Sequence, residues 1–402
     1  MPFALYVLAL AVFAQGTSEF MLSGLIPDIA ADLQVSIPAA GALTSAFAAG
    51  MIVGAPLMAL LSRRWPRRRA LLVFLVTFLL VHVVGAVTTS FAVLLTTRVV
   101  AALANAGFLA VALATAAAMV APDAKGRATS VLLGGTTLAC IAGVPAGAVL
   151  GQEWGWRAAF WAVAAVSVPA VLALVRSAPA GPTGDGAAGG TMPSTPGVRA
   201  EVRALRRPRL WLALLLAALV NGATFCTFTY LAPLVTDVTG FGAAGVPVVL
   251  ALFGLGSFAG VTAGGRLADR QPRAVLAVGG AALFVGWAAF ALTAGNAVAT
   301  VGWVLVQGTL SFAVGSTLIA QVLYAAVEAP TLGGGFATAA LNVGAAVGPW
   351  WGGLALAAGF GYRAPLWVSA LLVAVALLVG GAAEGVRRRA AGGAGEVPAP
   401  SS

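Results

Sequence analysis

Long apolar runs, separated by short breaks rich in arginine, glycine and proline, recur along the whole chain. A helix of about 20 apolar residues crosses the hydrocarbon of a bilayer with every backbone amide bonded inside the segment. Such runs lie near residues 4–27, 39–61, 70–88, 91–120, 129–150, 158–175, 210–233, 244–265, 274–294, 298–326, 333–356 and 364–383. They predict an all-α polytopic membrane protein with 12 transmembrane helices. The fourth and tenth runs are longer than a span needs and are expected to tilt or protrude. Inside the first run, Gln15-Gly16-Thr17-Ser18-Glu19-Phe20 places a carboxylate at membrane depth. An acid there costs roughly 2.5–3.5 kcal/mol on insertion, so it marks a functional site and calls for a partner.

Composition narrows the class. With 60% hydrophobic and 8% charged residues and a mean hydropathy of +1.00, the chain is far more apolar than a soluble domain. Its net charge of +10 raises nucleic acid as a partner, but the basic residues sit between the apolar runs rather than on a soluble face, which argues against it. Placing the N-terminus in the cytoplasm puts all of the 22 basic residues there except Arg98, Arg157 and Arg363. The positive-inside rule therefore predicts a multi-pass protein of the cytoplasmic (inner) membrane with both termini cytoplasmic. The first run lacks a basic n-region and a cleavage site and reads as a retained helix. Cys140 and Cys226, both within spans, form neither a disulfide framework nor a metal site. No nucleophile–base–acid set, phosphate loop or metal cluster is present in the sequence, so it reads as neither an enzyme nor a cofactor protein.

A repeat organises the spans. At a constant offset of 206 residues, Gln15-Gly16 aligns with Asn221-Gly222, Pro27 with Pro233, Phe47 with Phe253, Gly50 with Gly256 and Gly54 with Gly260. The register continues through Arg64 with Arg270, Pro66 with Pro272 and Arg67 with Arg273, and returns at Gly155-Trp156-Arg157 with Gly361-Tyr362-Arg363. Between the halves, Gly, Pro, Ala and Thr give way to arginines in a flexible linker. The organisation expected is a six-helix bundle over 1–175, a cytoplasmic linker over 176–209, a second bundle over 210–386 and a tail over 387–402.

Two parallel six-helix halves with a cytoplasmic linker resemble the major facilitator transporters, in which a midplane site is exposed alternately to the two sides. Gly265-Arg266-Leu267-Ala268-Asp269-Arg270-Gln271-Pro272-Arg273 is similar to that superfamily's loop motif after the second and eighth helices. The resemblance implies gating roles for Arg64, Arg67, Asp269, Arg270 and Arg273, although the first copy has Arg63 where the acid belongs. Arg98-Val99-Val100-Ala101-Ala102-Leu103-Ala104-Asn105-Ala106-Gly107 resembles its buried-arginine motif. Gly143-Val144-Pro145-Ala146-Gly147 resembles the antiporter signature of the fifth helix, implying roles for Gly143, Pro145 and Gly147; a kink is expected at Pro145 or Pro349.

Glu19 lies seven residues from Ile26 at the outer end of the first run, and Arg98 seven from Phe91 at the outer end of the fourth. At about 1.5 Å per residue both sit about 10 Å deep, which makes them candidate partners in proton coupling. The repeat equivalent of Glu19 is Phe225, so the halves divide the labour: coupling in the first, more of the substrate surface in the second. Asn221, Thr224, Phe225 and Phe228 share helical spacing, and with Gln15 and Ser23 they predict an apolar, aromatic cavity with a few hydrogen-bonding groups. His82, the single histidine, is expected to be a satisfied packing residue rather than a proton relay. Asp28 and Asp32 read as solvated caps at the outer mouth, and Trp65, Trp154, Trp156 and Tyr362 as an interfacial aromatic belt.

The run from Gly16-Thr17-Ser18-Glu19-Phe20 through Gly24-Leu25-Ile26-Pro27-Asp28 to Ser62-Arg63-Arg64-Trp65-Pro66-Arg67-Arg68-Arg69 is similar to the actinomycete chloramphenicol-resistance exporters of the 12-span drug–proton antiporter branch. That resemblance implies proton-coupled export of chloramphenicol or a similar neutral drug by a functional monomer, with the drug, protons and the bilayer as partners. Export of sugars or of an endogenous metabolite stays open, as does, from a different class, a non-transporting membrane sensor or scaffold. The scarcity of Asn and Gln in the spans favours an apolar drug.

Overall fold

Hydrocarbon offers backbone amides no water to bond, and among the described residues the chain answers with helices and turns and no strand. The structure, a computed structural model, describes residues 2–62, 65–121, 125–176, 207–268, 271–326 and 333–393. Among them, 11 helical segments have the length and apolarity to cross a membrane. The twelfth helix is Gly333–Ala357, whose glycines, Asn342, Pro349 and paired tryptophans lower its hydropathy. It lies between the second and seventh spans, so protein rather than lipid covers two of its sides.

Four spans depart from simple rods, among them the ninth, which passes from Pro272–Ala274 through a π turn, Val275–Gly279, into Gly280–Thr293. The first is Phe3–Phe20, then a tight 3₁₀ turn at Met21–Gly24, then the short helix Ile26–Asp32. The seventh repeats the plan with Pro208–Thr229 followed by Leu231–Asp237. The fifth passes from Lys125–Leu138 through one wide π turn, Ala139–Gly143, into Val144–Trp154. Pro145, which has no N–H to donate, sits just past that turn. The discontinuity expected of the proline is thus spread over the five residues Ala139–Gly143.

The 206-residue repeat is physical. Gly155 and Gly361 both take positive φ, 79° and 73°, at the turns entering the sixth and twelfth spans. In the first half, spans 2–4, 3–4, 3–6, 1–5 and 1–6 pack against one another; in the second, spans 8–10, 9–10, 9–12, 7–11 and 7–12 do so, which are the same pairings. Gly50 and its mate Gly256 serve the same crossing. A Cβ on Gly50 would come within 2.7 Å of Ala102 Cβ, and one on Gly256 within 2.5 Å of the Leu305 carbonyl oxygen.

The halves meet along two seams that are also repeat-related, span 2 with span 11 and span 5 with span 8. Among the described residues, two hydrogen bonds between side chain and backbone cross the halves toward the end remote from the linker: Ser45 Oγ to the Ala346 carbonyl (2.7 Å) and Gln152 Nε2 to the Ala243 carbonyl (2.6 Å). Tyr230 fills the first seam there, its hydroxyl donating to the Pro349 carbonyl (3.0 Å) and packing against Gly41. The far end is closed in this conformation.

Candidate functional site

Because the first helix stops at Phe20, Ser18 and Glu19 occupy its last turn and, at about 100° per residue, point different ways. Ser18 is fully buried in the first bundle, whereas Glu19 is half-buried. Arg98 is also fully buried. Its Nη1 donates to Ser18 Oγ (2.9 Å), its Nη2 to the Ser18 carbonyl (2.8 Å), and its guanidinium lies 4.5 Å above the centre of the Phe47 ring. The Ser18 hydroxyl is also 2.6 Å from His82 Nε2, and His82 Nδ1 is 2.6 Å from the Phe78 carbonyl. His82 is thus a satisfied buried histidine, but one wired into the polar site.

Glu19 and Arg98 share a depth and feel each other's charge, as their positions in the chain imply. They are not a direct ion pair. A direct carboxylate–cation pair does occur elsewhere, between Asp32 and Arg157 at 2.6 Å. The reason is local: the guanidinium finds two short bonds on Ser18, the residue next door, and Glu19 is met by Asn105 Nδ2 at 3.5 Å, the outer limit of a hydrogen bond.

Immediately beyond Glu19 the interior turns aromatic. Phe20, Cys140, Thr224, Phe225, Phe228, Phe253, Ser257 and Phe312 line a cavity of only about 10 Å³ where the halves meet, so the rings nearly close on one another in this conformation. The rings form a chain: Phe20 to Phe225 at 5.6 Å across the halves, then Phe228 at 6.0 Å, Phe253 at 4.7 Å and Phe312 at 6.2 Å. Thr224, Phe225 and Phe228 therefore converge as their spacing predicts. Phe20, Phe253, Phe312, Cys140 and Ser257 join them without having been singled out; Phe253 had signalled only its repeat relation to Phe47. The other three expected contacts lie apart from this pocket. Ser23 Oγ donates to the Phe20 carbonyl (2.9 Å), Asn221 Nδ2 to the Leu341 carbonyl (2.7 Å), and Gln15 is buried with neither amide atom bonded.

The motif glycines pack the fifth span onto the first. A methyl on Gly143 would overlap the Thr17 hydroxyl, and one on Gly147 would come within 3.3 Å of Met21 Cβ. Arg67 and Arg273 are exposed at the linker end, while Arg64, Asp269 and Arg270 lie outside the described residues. The neighbouring Arg68 caps the sixth span, donating to the carbonyls of Leu174 (2.9 Å) and Val175. At the outer mouth Asp32 is no free cap: it accepts from Arg157 Nη1 at 2.6 Å and from Trp156 Nε1 at 3.2 Å. Arg157 reaches on to the Thr88 carbonyl (2.9 Å) and stacks 4.4 Å over Trp156. These bonds hold the Asp32 carboxyl below its usual range, whereas partial burial pushes that of Asp28 up. Trp156 is accordingly buried rather than part of an interfacial belt; Trp65 and Trp154 are exposed, as a belt requires.

Residues 8–334 match the Major Facilitator Superfamily. The chain is 60% identical over 379 residues to a chloramphenicol resistance protein of Streptomyces lividans, covering 94% of this chain and 95% of that one. It is 36% identical to the inner membrane transport protein YdhP of Escherichia coli K12, with 94% and 95% covered. A chloramphenicol efflux pump of Mycobacterium tuberculosis is 31% identical over 364 residues, with 87% and 85% covered. In fold, the chain is similar to a bacterial homolog of the human lysosomal transporter Spinster, solved inward-facing and unoccupied, with a TM-score of 0.76, 17% identity and 94% of each chain covered.

Proposed function

The chain belongs to the Major Facilitator Superfamily of membrane transporters, and from that premise we propose that it exports chloramphenicol, or a neutral drug like it, in exchange for protons and so confers resistance. The observation that carries this reading is the adjacency of the acid and the aromatic pocket: Glu19 ends the first helix beside Phe20, which is itself a wall of the pocket. A half-buried carboxyl with an amide rather than a cation at bonding distance is suited to bind and release a proton. A wall of rings contributed by both halves, nearly closed in this conformation, is suited to take a small amphipathic molecule when the halves part, and similarity to two proteins named for chloramphenicol resistance and efflux supports that choice of drug.

In this reading the basic loops put the linker and both termini in the cytoplasm, the protein sits in the inner membrane, and the closed far end faces outward. The two bundles, 1–175 and 210–386, rock about the pocket; drug and proton compete for the midplane site through shared hydrogen bonds and shape rather than charge. A single chain contains the whole pathway, so a monomer suffices. Gly143, Pro145 and Gly147 hold the fifth span against the first so that movement at Glu19 is felt along the seam with the eighth. The test is accumulation of labelled chloramphenicol in a sensitive host. Expression should lower it, and a protonophore should restore it; unchanged accumulation with well-expressed protein would remove this drug.

A further inference from the structure

His82 comes from the third span, carries no part of the motifs above, and sits fully buried against Ser18. Its hydrogen bonds have only one consistent direction. A carbonyl can only accept, so His82 Nδ1 carries a hydrogen and donates to Phe78. In a neutral imidazole Nε2 is then an acceptor and takes the Ser18 hydroxyl hydrogen, which leaves the lone pairs of Ser18 Oγ facing Arg98 Nη1. The chain runs Arg98 to Ser18 to His82 to Phe78 with every hydrogen placed. A cationic His82 would instead make Ser18 Oγ accept from two cations and strand its own hydrogen. The packing keeps the ring fixed, with Phe78 at 4.2 Å and Phe160 at 5.8 Å between centroids.

We propose that His82 is a positioning residue for proton coupling: by accepting the Ser18 hydroxyl it parks Arg98 on Ser18 and keeps the guanidinium off Glu19 in this conformation. This rests on Glu19 being the proton carrier. The ionisable groups around the cluster are Glu19 on the first span, Arg98 on the fourth and Cys140 on the fifth, which interacts with Glu19; the second and sixth spans present Phe47 and Phe160. Arg98 Nε has no partner, so the guanidinium retains a donor for Glu19 once it lets go of Ser18. Releasing Arg98 would bring an opposite charge to the carboxylate and make Glu19 surrender its proton more readily.

The test needs no drug. Because His82 is the chain's one histidine, ¹⁵N-histidine NMR of the full chain in nanodiscs, purified on a histidine-free tag, reads its tautomer without assignment. Hydrogen on Nδ1 of a neutral ring is expected; hydrogen on Nε2 alone, or an imidazolium, would overturn the proposal. Infrared titration of the Glu19 carboxyl band, identified by its loss in Glu19→Gln, supplies the second arm. His82→Phe, which keeps a ring in the aromatic packing but accepts nothing, should move the midpoint about 1 pH unit lower, roughly tenfold in proton affinity. His82→Gln, whose amide oxygen restores an acceptor, should stay near wild type. Ser18→Ala should move the midpoint in the same direction as His82→Phe, and it serves if the latter does not fold. An unmoved band in His82→Phe or Ser18→Ala, or an equal shift in His82→Gln, would refute positioning. A wild-type protein whose Glu19 band does not titrate would instead strike down the coupling reading, and this one with it.

Discussion

Gly254→Ala is a perturbation aimed at the seam between the halves. A Cβ built on Gly254 of the eighth span meets backbone of the fifth span, reaching 2.8 Å from the Cys140 carbonyl carbon and 3.0 Å from Ile141 Cα, besides overlapping the Cys140 carbonyl oxygen. None of these atoms belongs to a side chain that can swing away. Restoring ordinary carbon contacts of about 3.5 Å requires the seam to part by roughly 0.5–1 Å. Overpacking of this kind costs about 1–3 kcal/mol. The cost falls only on the conformation in which spans 5 and 8 touch here, so the alternate conformation gains by the same amount, roughly 5–150-fold in the equilibrium. Gly256→Ala is the control. Its new methyl meets Leu305 O at 2.5 Å and Thr309 N at 3.1 Å within the second bundle, a crossing present in both conformations, so it should lower the melting temperature without favouring either. The assay is pulsed electron resonance between spin labels at Trp154 and Phe360, both exposed at the far end, in a background lacking Cys140 and Cys226. Gly254→Ala should raise the longer-distance population and Gly256→Ala should not. An unchanged distance distribution in Gly254→Ala, with the protein folded, would refute the argument.

Other expectations follow from the same contacts. Arg98→Lys keeps the charge but loses one of the two bonds to Ser18 and the flat stack on Phe47, roughly 1.5–3 kcal/mol; coupled transport should fall at least about tenfold in initial rate while the protein still inserts, and a wild-type rate would contradict this. Phe225→Ala removes one ring from the pocket wall; an aromatic contact with the drug is worth about 0.5–1.5 kcal/mol, so KM for the drug should rise roughly 2–10-fold with kcat largely kept, and an unmoved KM would take Phe225 out of the binding surface. Because Arg157 holds the Asp32 carboxyl below its free value near 3.9, the pair's stabilisation is fully present above about pH 4 and fades as pH falls through the lowered value. Both groups are partly exposed, so it is worth at most about 1 kcal/mol. Melting temperatures of wild type and Asp32→Asn should differ slightly at pH 7, and the gap should narrow progressively as the pH is lowered below about 4; a gap that did not narrow with acidification would point to packing instead.

The helices and their repeat were legible because hydrocarbon imposes a length and an apolar composition on each span, and because the 206-residue register recurs at residues with steric jobs, such as Gly50 with Gly256 and Gly155 with Gly361. Thr224, Phe225 and Phe228 were legible for a similar reason: they share one face of one helix. Phe253 and Phe312 come from two other helices, and a lone phenylalanine in an apolar span looks the same whether it faces lipid, a neighbour or a pocket. Glu19 stood out by its cost, and Arg98 by its depth, but depth along two helices says nothing about rotation. It is rotation that turns Arg98 onto Ser18 and leaves Glu19 to Asn105. His82 and the Asp32–Arg157–Trp156 cluster depend on contacts between residues more than 60 positions apart, which no local pattern encodes.

The proposed proton exchange at Glu19 can be tested directly with the purified protein in liposomes, following labelled chloramphenicol and an internal pH dye together. The account predicts that wild type moves protons opposite to the drug, that an imposed pH gradient drives the drug against its own gradient, and that Glu19→Gln still exchanges drug for drug but moves no protons. Drug-linked proton movement in Glu19→Gln equal to that of wild type would contradict it.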